Sequence, residues 1–310
     1  MKTKHIILFS SLLMALFITL GCRKTVTSSK NQNRLNALID SATGKMKGAV
    51  EGFDPGNYPV GSLANLQRYI DSAKTLAQNS VTQYGIDLAE IVMQNAITNF
   101  LSSIQIAKQL YFDGTGYLDG GRATAYNTAK ITVSAWVYAT EYKTGMYIIS
   151  TEGQQTGYKL QAPNGKPTFQ IGTGSAVSSV AATANITLNK WTHIAATFDG
   201  TTMKLFVNGV LTDQKALTFT ITDNGENFRV GEGSKFTGRT FKGRIRDVRV
   251  WSRALSDTEI AASQTNTLAG NEASLTAFWP FNLSAGTHVT DRTGTKYVDL
   301  IGVQYVDPVQ

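Results

Sequence analysis

The sequence holds one cysteine, Cys22, in 310 residues. No intramolecular disulfide can form, so stability has to come from packing. Histidine is nearly as scarce, with only His5, His193 and His288. Without a second cysteine or a close histidine pair, the usual zinc ligand spacings are missing. Charged side chains make up 16% of the chain, against about a quarter in an average soluble domain. There is no run of five like charges, which excludes a polyelectrolyte tail or a disordered charged chain. Six prolines and 28 glycines exclude Pro-rich and collagen-like classes. What is present is a 42% hydrophobic share, ample for one large or two modest cores.

The N-terminus reads as a secretory signal over residues 1–21: Lys2, Lys4 and His5, then an apolar run from Ile6 to Leu20, then Gly21. Gly21 followed by Cys22 resembles the bacterial lipobox, although Thr19 stands where that family usually has Leu. The resemblance implies lipidation at Cys22 and an outer-membrane lipoprotein held to the membrane by its lipid. Arg23 and Lys24 follow in place of acidic residues, so surface and periplasmic faces both stay open. Residues 22–33 are almost free of apolar side chains and read as a flexible tether. Removing Lys2 and Lys4 leaves 27 basic against 22 acidic side chains, and the net charge falls from +7 to +5. The densest basic stretch, residues 239–253, is interrupted by apolar residues at strand spacing, which points to a solvated sheet face and away from a nucleic-acid partner.

Residues 34–109 carry helical periodicity. Leu35, Leu38, Ile39, Ala42 and Met46 mark one helix; Leu63, Leu66, Ile70, Ala73 and Ala77 a second; Met93, Ile97, Phe100 and Ile104 a third. After residue 109 the grain changes, with all four Trp and 30 of the 38 Thr. Thr and aromatic residues favour strands. Strands are expected at 109–113, 116–119, 131–139, 146–150, 157–161, 167–171, 191–198, 202–207, 227–231, 241–251, 275–281 and 297–306. Asp199-Gly200 and Asn208-Gly209 suit two-residue hairpin turns, Gly231 to Lys235 a further hairpin, and Ser256 to Glu259 a helix capping box. The fold class is multidomain α plus all-β: a small three-helix unit followed by an antiparallel β-sandwich jelly roll over 110–310.

Three segments in the helical region, YPVGSLANLQ at 58–67, QNSVTQ at 78–83 and AITNF at 96–100, resemble the FIVAR-like helical modules of bacterial surface proteins, which implies a stalk. Five ordered motifs beyond it resemble the laminin-G-like, concanavalin A-type lectin and glucanase family. They are LYFDGTGYL (110–118), ITVSAWV (131–137), WTHIAATFDGTTMKLFVNG (191–209), FKGRIRDVRVWSRALS (241–256) and LTAFWPFN (275–282). The resemblance implies a jelly roll whose members include lectins, adhesion modules and glycanases.

A glycanase of this kind needs carboxylates two apart on one strand, an E-x-D-x-x-E pattern, and none occurs. Asp223 and Glu226 straddle a turn, Asp257 and Glu259 belong to the helix cap, and no G-x-S-x-G is present. A non-catalytic binding domain is the expectation, with a polysaccharide or glycoconjugate as partner, or alternatively a protein. The resemblance implies a calcium cofactor, held by Asp247 with Asp113 and the Gly114 backbone. Asp247 is also expected at a bulge, because Ile245 and Val248 differ in parity. Candidate sugar platforms are Tyr138, Tyr142, Tyr147, Tyr158 and Trp251. Trp136 and Trp191 are expected in the core.

Overall fold

The computed structural model describes residues 31–79, 82–283 and 286–309. The signal sequence, Cys22 and the tether up to residue 30 lie outside the described residues. The chain forms two compact units, one from the residues up to 49 with 61–102, the other from 50–60 with 103 onward. Among the described residues no helix is long and apolar enough to cross a membrane.

The first unit contains α1 (Asn33–Met46), α2 (Ser62–Asn79) and α3 (Gln83–Ser102). Each buries one stripe at three- and four-residue spacing: Leu35, Ile39 and Ala42; Leu66, Ile70, Ala73 and Ala77; Met93, Ala96, Ile97 and Phe100. The third helix stops at Ser102, so Ile104 falls outside it and is 39% exposed. Residues 50–60, which separate α1 from α2, cluster with the second unit. Gly56 and Asn57 bond the Gln105 backbone there, and Asp54 pairs with Arg292.

The second unit is a sandwich of two antiparallel sheets. The first runs β10 (Val210–Ala216), β9 (Thr202–Val207), β8 (Thr192–Phe198), β3 (Ile131–Ala139), β12 (Lys242–Trp251), β1 (Gln109–Asp113) and β16 (Gln304–Val306), with β13 (Leu275–Trp279) also on β12. The second runs β14 (His288–Thr290), β15 (Tyr297–Ile301), β2 (Tyr117–Arg122), β11 (Asn227–Val230), β4 (Tyr147–Ser150), β5 (Tyr158–Gln161), β6 (Thr168–Gly172) and β7 (Val177–Ala181). Alternate residues such as Val133, Ala135 and Val137 from one sheet meet Leu160, Phe169 and Phe228 from the other. Tyr126, Phe228 and Trp279 pack ring to ring at one end, with centroids 4.3 to 6.2 Å apart.

β12 serves two neighbours along one edge, β1 over residues 242–245 and β13 over 248–251. The changeover falls at Asp247, where φ is +51° and β12 takes three steps while β3 takes two. That extra residue is the expected bulge, and it returns Val248 and Val250 to the core face on which Ile245 lies. Asn208-Gly209 makes the two-residue turn between β9 and β10, both residues at positive φ. Asp199-Gly200 does not. Phe198 pairs with Met203, and the Asp199 carboxylate accepts from the Thr201 and Thr202 N–H groups to close a longer loop. Ser256 caps α4 (Asp257–Ser263) in a full capping box with Glu259.

His193 lies on the outer side of β8, 1% exposed, against the Trp136 ring at 5.4 Å. Burial, reinforced by the Arg249 cation, drops its pKa to about 4. The unfolded chain therefore binds a proton at about pH 6.5 that the folded chain refuses until about pH 4. Stability should fall as pH drops through that window, by roughly 3 kcal/mol at about 1.4 per unit. Urea unfolding between pH 7 and 4 should show this slope, and His193→Gln should flatten it.

Candidate functional site

The two outward sheet faces differ in what they offer. On the first sheet, α4 and the loop after it cover a secondary core of Phe206, Trp251, Leu255, Ile260 and Phe278. The uncovered part carries a ladder of side chains. Arg246 lies 4.4 Å over the Trp191 ring and 5.7 Å from Trp136, and Trp191 meets Tyr138 at 5.5 Å. The rings are tilted by 51° to 58° and held by one another and by the guanidinium, so they do not form a flat exposed platform.

The second sheet carries a cleft of about 150 Å³ where the β4–β5 turn folds over β5, β6 and β7. Tyr158 and Leu160 point inward, so Lys159 between them points out, directly across from Gln170 of β6. Val177 lies beyond, opposite Gly172. The turn at 151–157 supplies Glu152, Gln154 and Gln155, the last with φ at +61°, a strained conformation of the kind that collects at functional loops. Phe236, 39% exposed, forms the remaining wall. Two glycines let the turn sit this close. A Cβ on Gly172 would lie 2.2 Å from the Gln155 carbonyl carbon, and one on Gly157, at φ +68°, would lie 2.2 Å from the Thr151 oxygen.

Charge inside the cleft is paired. Lys159 Nζ forms an ion pair with Glu152 Oε2, the side chains 13% and 6% exposed, and donates to Tyr147 Oη at 2.8 Å. Arg239 donates to the same phenol oxygen at 2.9 Å, and its guanidinium lies 4.7 Å over the Phe236 ring. Burial raises the Tyr147 pKa, so the phenol stays neutral and can accept both bonds. The second oxygen of Glu152 is buried without a partner. The connection from β11 to β12 is not the hairpin expected at Gly231 to Lys235, because it crosses between the two sheets. It is pinned by Glu232, which accepts from Arg229 and from the Gly238 N–H at 3.0 Å each, and by Ser234 on Ser150.

The residues singled out from sequence are scattered. Tyr158 is 1% exposed and packs in the main core beside Phe169, and Trp251 lies in the secondary core, so neither presents a ring to solvent. The Tyr147 ring is buried beneath Lys159 and Arg239, and only its hydroxyl joins the site. Tyr142 rests on Gly165 and donates to the Ile186 carbonyl at 2.6 Å, away from the cleft. Tyr138, Trp136 and Trp191 lie on the outer face of the first sheet, the two tryptophans half-exposed and not in the core. Glu152, Lys159, Gln170 and Phe236 were not singled out. Alternation around Tyr158 and Leu160 does mark Lys159 as outward, but nothing local marks the other three.

Asp247, Asp113 and Gly114 do not converge. Asp113 pairs with Lys242 at the far end of β12, five residues from Asp247, roughly 16 Å along a strand. Its Oδ1 accepts from Thr115 and Gly116, and the Gly114 oxygen accepts from Lys143 Nζ and Thr240. Asp247 faces Arg246 at 3.9 Å and Arg249 at 3.8 Å. Burial raises its pKa against the pull of those cations. These groups offer a calcium ion no common oxygen cage. Among the described residues, no three His, Cys, Asp or Glu side chains are grouped to hold a metal.

The two sheets and their connections define a β-sandwich jelly roll. Residues 112–261 match the model of the concanavalin A-like lectin/glucanases superfamily. No curated protein matches the chain. Among solved structures, a proposed carbohydrate-binding protein from Bacteroides ovatus is similar at 20% identity over 66% of this chain, TM-score 0.56, and this chain spans 60% of that protein's length. A heptameric SAP-like pentraxin from Limulus polyphemus aligns at 16% identity over 64% of this chain and 94% of its own, TM-score 0.44. The CBM40 of a Ruminococcus gnavus sialidase, bound to α2,3-sialyllactose, aligns at 20% over 52% and 95%, TM-score 0.43.

Because Gly172 has no room for a side chain, Gly172→Ala should shift the 151–157 turn and destabilise the domain by about 1–3 kcal/mol. Chemical denaturation of the variant beside wild type measures this; an unchanged midpoint would show that the turn does not rest on β6.

Proposed function

We propose that the chain is a lipid-anchored, non-catalytic protein of the bacterial envelope whose sandwich domain binds carbohydrate in the cleft on the second sheet, with the three-helix unit as its spacer. The observation that carries this reading is the make-up of the cleft: Phe236, 39% exposed, lines it together with Gln170, Gln154 and Gln155 around a space of about 150 Å³. Sugars present an apolar ring face and a rim of hydroxyls, and bind where an aromatic wall stands beside amide donors and acceptors. The match of residues 112–261 to a superfamily described as lectins and glucanases supports the same ligand class.

The non-catalytic part of the proposal rests on the state of the nearby carboxylates. Glu152 is tied to Lys159, and Glu232 to Arg229 and a backbone N–H, so neither stands as a free acid or base. Asp223, the other carboxylate weighed from sequence, is held by Arg122, Thr124 and the Gly225 N–H.

The purified full chain should bind oligosaccharides on a glycan array, and Phe236→Ala should weaken the best binder at least tenfold with little change in melting temperature. An array without a single binder, from folded protein, would remove the proposal. For the anchor, Cys22→Ser should move the protein from the membrane pellet to the soluble fraction on ultracentrifugation of lysed cells. Continued pelleting of the variant would count against lipidation at that residue.

A further inference from the structure

We infer that the cleft accepts an uncharged sugar unit, and that the Glu152–Lys159 pair is the device that turns acidic sugars away. This rests on the carbohydrate reading above and specifies its ligand class. The only charged side chains lining the cleft are Glu152 and Lys159, and they neutralise one another. A uronate, sialate or sulfate needs a guanidinium or ammonium with free donors and no competing anion. Here the ammonium of Lys159 is already shared between a carboxylate and a phenol.

Two neighbouring cations on this side of the domain are paired with carboxylates. Arg229 is held between Asp119 at 3.3 Å and Glu232 at 3.0 Å, and Lys235 reaches Glu226 at 3.2 Å. Arg239 lies outside the lining, exposed and with no carboxylate partner among the described residues; its Nη1 is bonded to Tyr147 Oη and its guanidinium is stacked on Phe236. What the cleft does offer is amide groups, which donate and accept and so match hydroxyls that do the same. The second oxygen of Glu152 is a buried acceptor without a donor.

The pair also makes the exclusion reversible by one near-isosteric change. Glu152→Gln removes the anion and leaves the Lys159 ammonium without its counter-charge, which converts the cleft from neutral to cationic. The test is a glycan array of neutral, sialylated, uronate-containing and sulfated oligosaccharides, with calorimetric titration of the binders. It uses the full chain as wild type, Glu152→Gln, Lys159→Met, Gln170→Ala and Phe236→Ala, each checked by thermal melting. Wild type should bind neutral oligosaccharides only, and Phe236→Ala or Gln170→Ala should reduce that binding at least tenfold. Glu152→Gln should gain at least tenfold in affinity for an acidic oligosaccharide, and Lys159→Met should not.

Acidic oligosaccharides bound by wild type and lost in Phe236→Ala would overturn the inference while leaving carbohydrate binding intact. No gain in a folded Glu152→Gln would overturn the role of the pair. If Glu152→Gln does not fold, the wild-type selectivity decides alone. Neutral binding untouched by Phe236→Ala and Gln170→Ala would place the sugar elsewhere, and no binding at all would overturn both this inference and the reading beneath it.

Discussion

An ammonium held at 13% exposure on the outward side of a sheet has to be compensated where it stands, and much of the second sheet's outer surface is arranged around that need. Removing Lys159 and Glu152 from water costs several kcal/mol per ion, which close pairing and further hydrogen bonds must offset. The phenol of Tyr147 provides one such bond and can do so only because its ring is buried at the right depth in β4. Arg239 meets the same oxygen from the β11–β12 connection, so the loop that brings Phe236 to the cleft is fastened to the polar network. Removing one member would leave a buried charge or a loosened wall, so the cleft behaves as a unit.

The sheets were largely legible in sequence because their strands alternate cleanly. β3 at Ile131–Ala139 and β9 at Thr202–Val207 have the expected limits, and the Asp247 bulge was readable from a parity break in β12. The strands that escaped notice, β7, β10 and β14, are short or polar edge elements such as Val210–Ala216, whose side chains point mostly to solvent. A strand that buries little carries little apolar signal. The expected run 297–306 is two strands divided at Gly302, whose positive φ breaks the ladder.

The site was far less legible, for a related reason. An aromatic residue is conspicuous in sequence whether it faces the core or solvent, and the pattern around the five candidate platforms does not give their side. Tyr158 and Trp251 sit at inward or covered positions, while Trp136 and Trp191, expected inside, stack on Arg246 at the outer face. The ring that does border the cleft, Phe236, belongs to an irregular connection with no periodicity to read. Glu152 and Lys159 are seven residues apart and meet because β4 and β5 pair with Ser150 opposite Lys159, which brings Glu152 two residues on to the same side.

The basic excess of the chain has a structural explanation as well. The stretch 239–253 reads from sequence as a solvated basic face, yet its members are individually engaged. Lys242 pairs with Glu141, Arg244 holds Gln109 and the Asp307 carbonyl, and Arg246 lies on two tryptophans. Arg249 is 4% exposed and ties the carbonyls of Ser263 and Asn266, anchoring the segment that follows α4, while Arg253 pairs with Glu259 of the capping box. Guanidinium groups suit this work because their planar forks bond several carbonyls while their faces stack on rings. Along β12, Arg249 and Arg253 thus fix the covering layer on the first sheet, Arg246 holds the tryptophans of its uncovered part, and the amide-lined cleft lies on the second sheet.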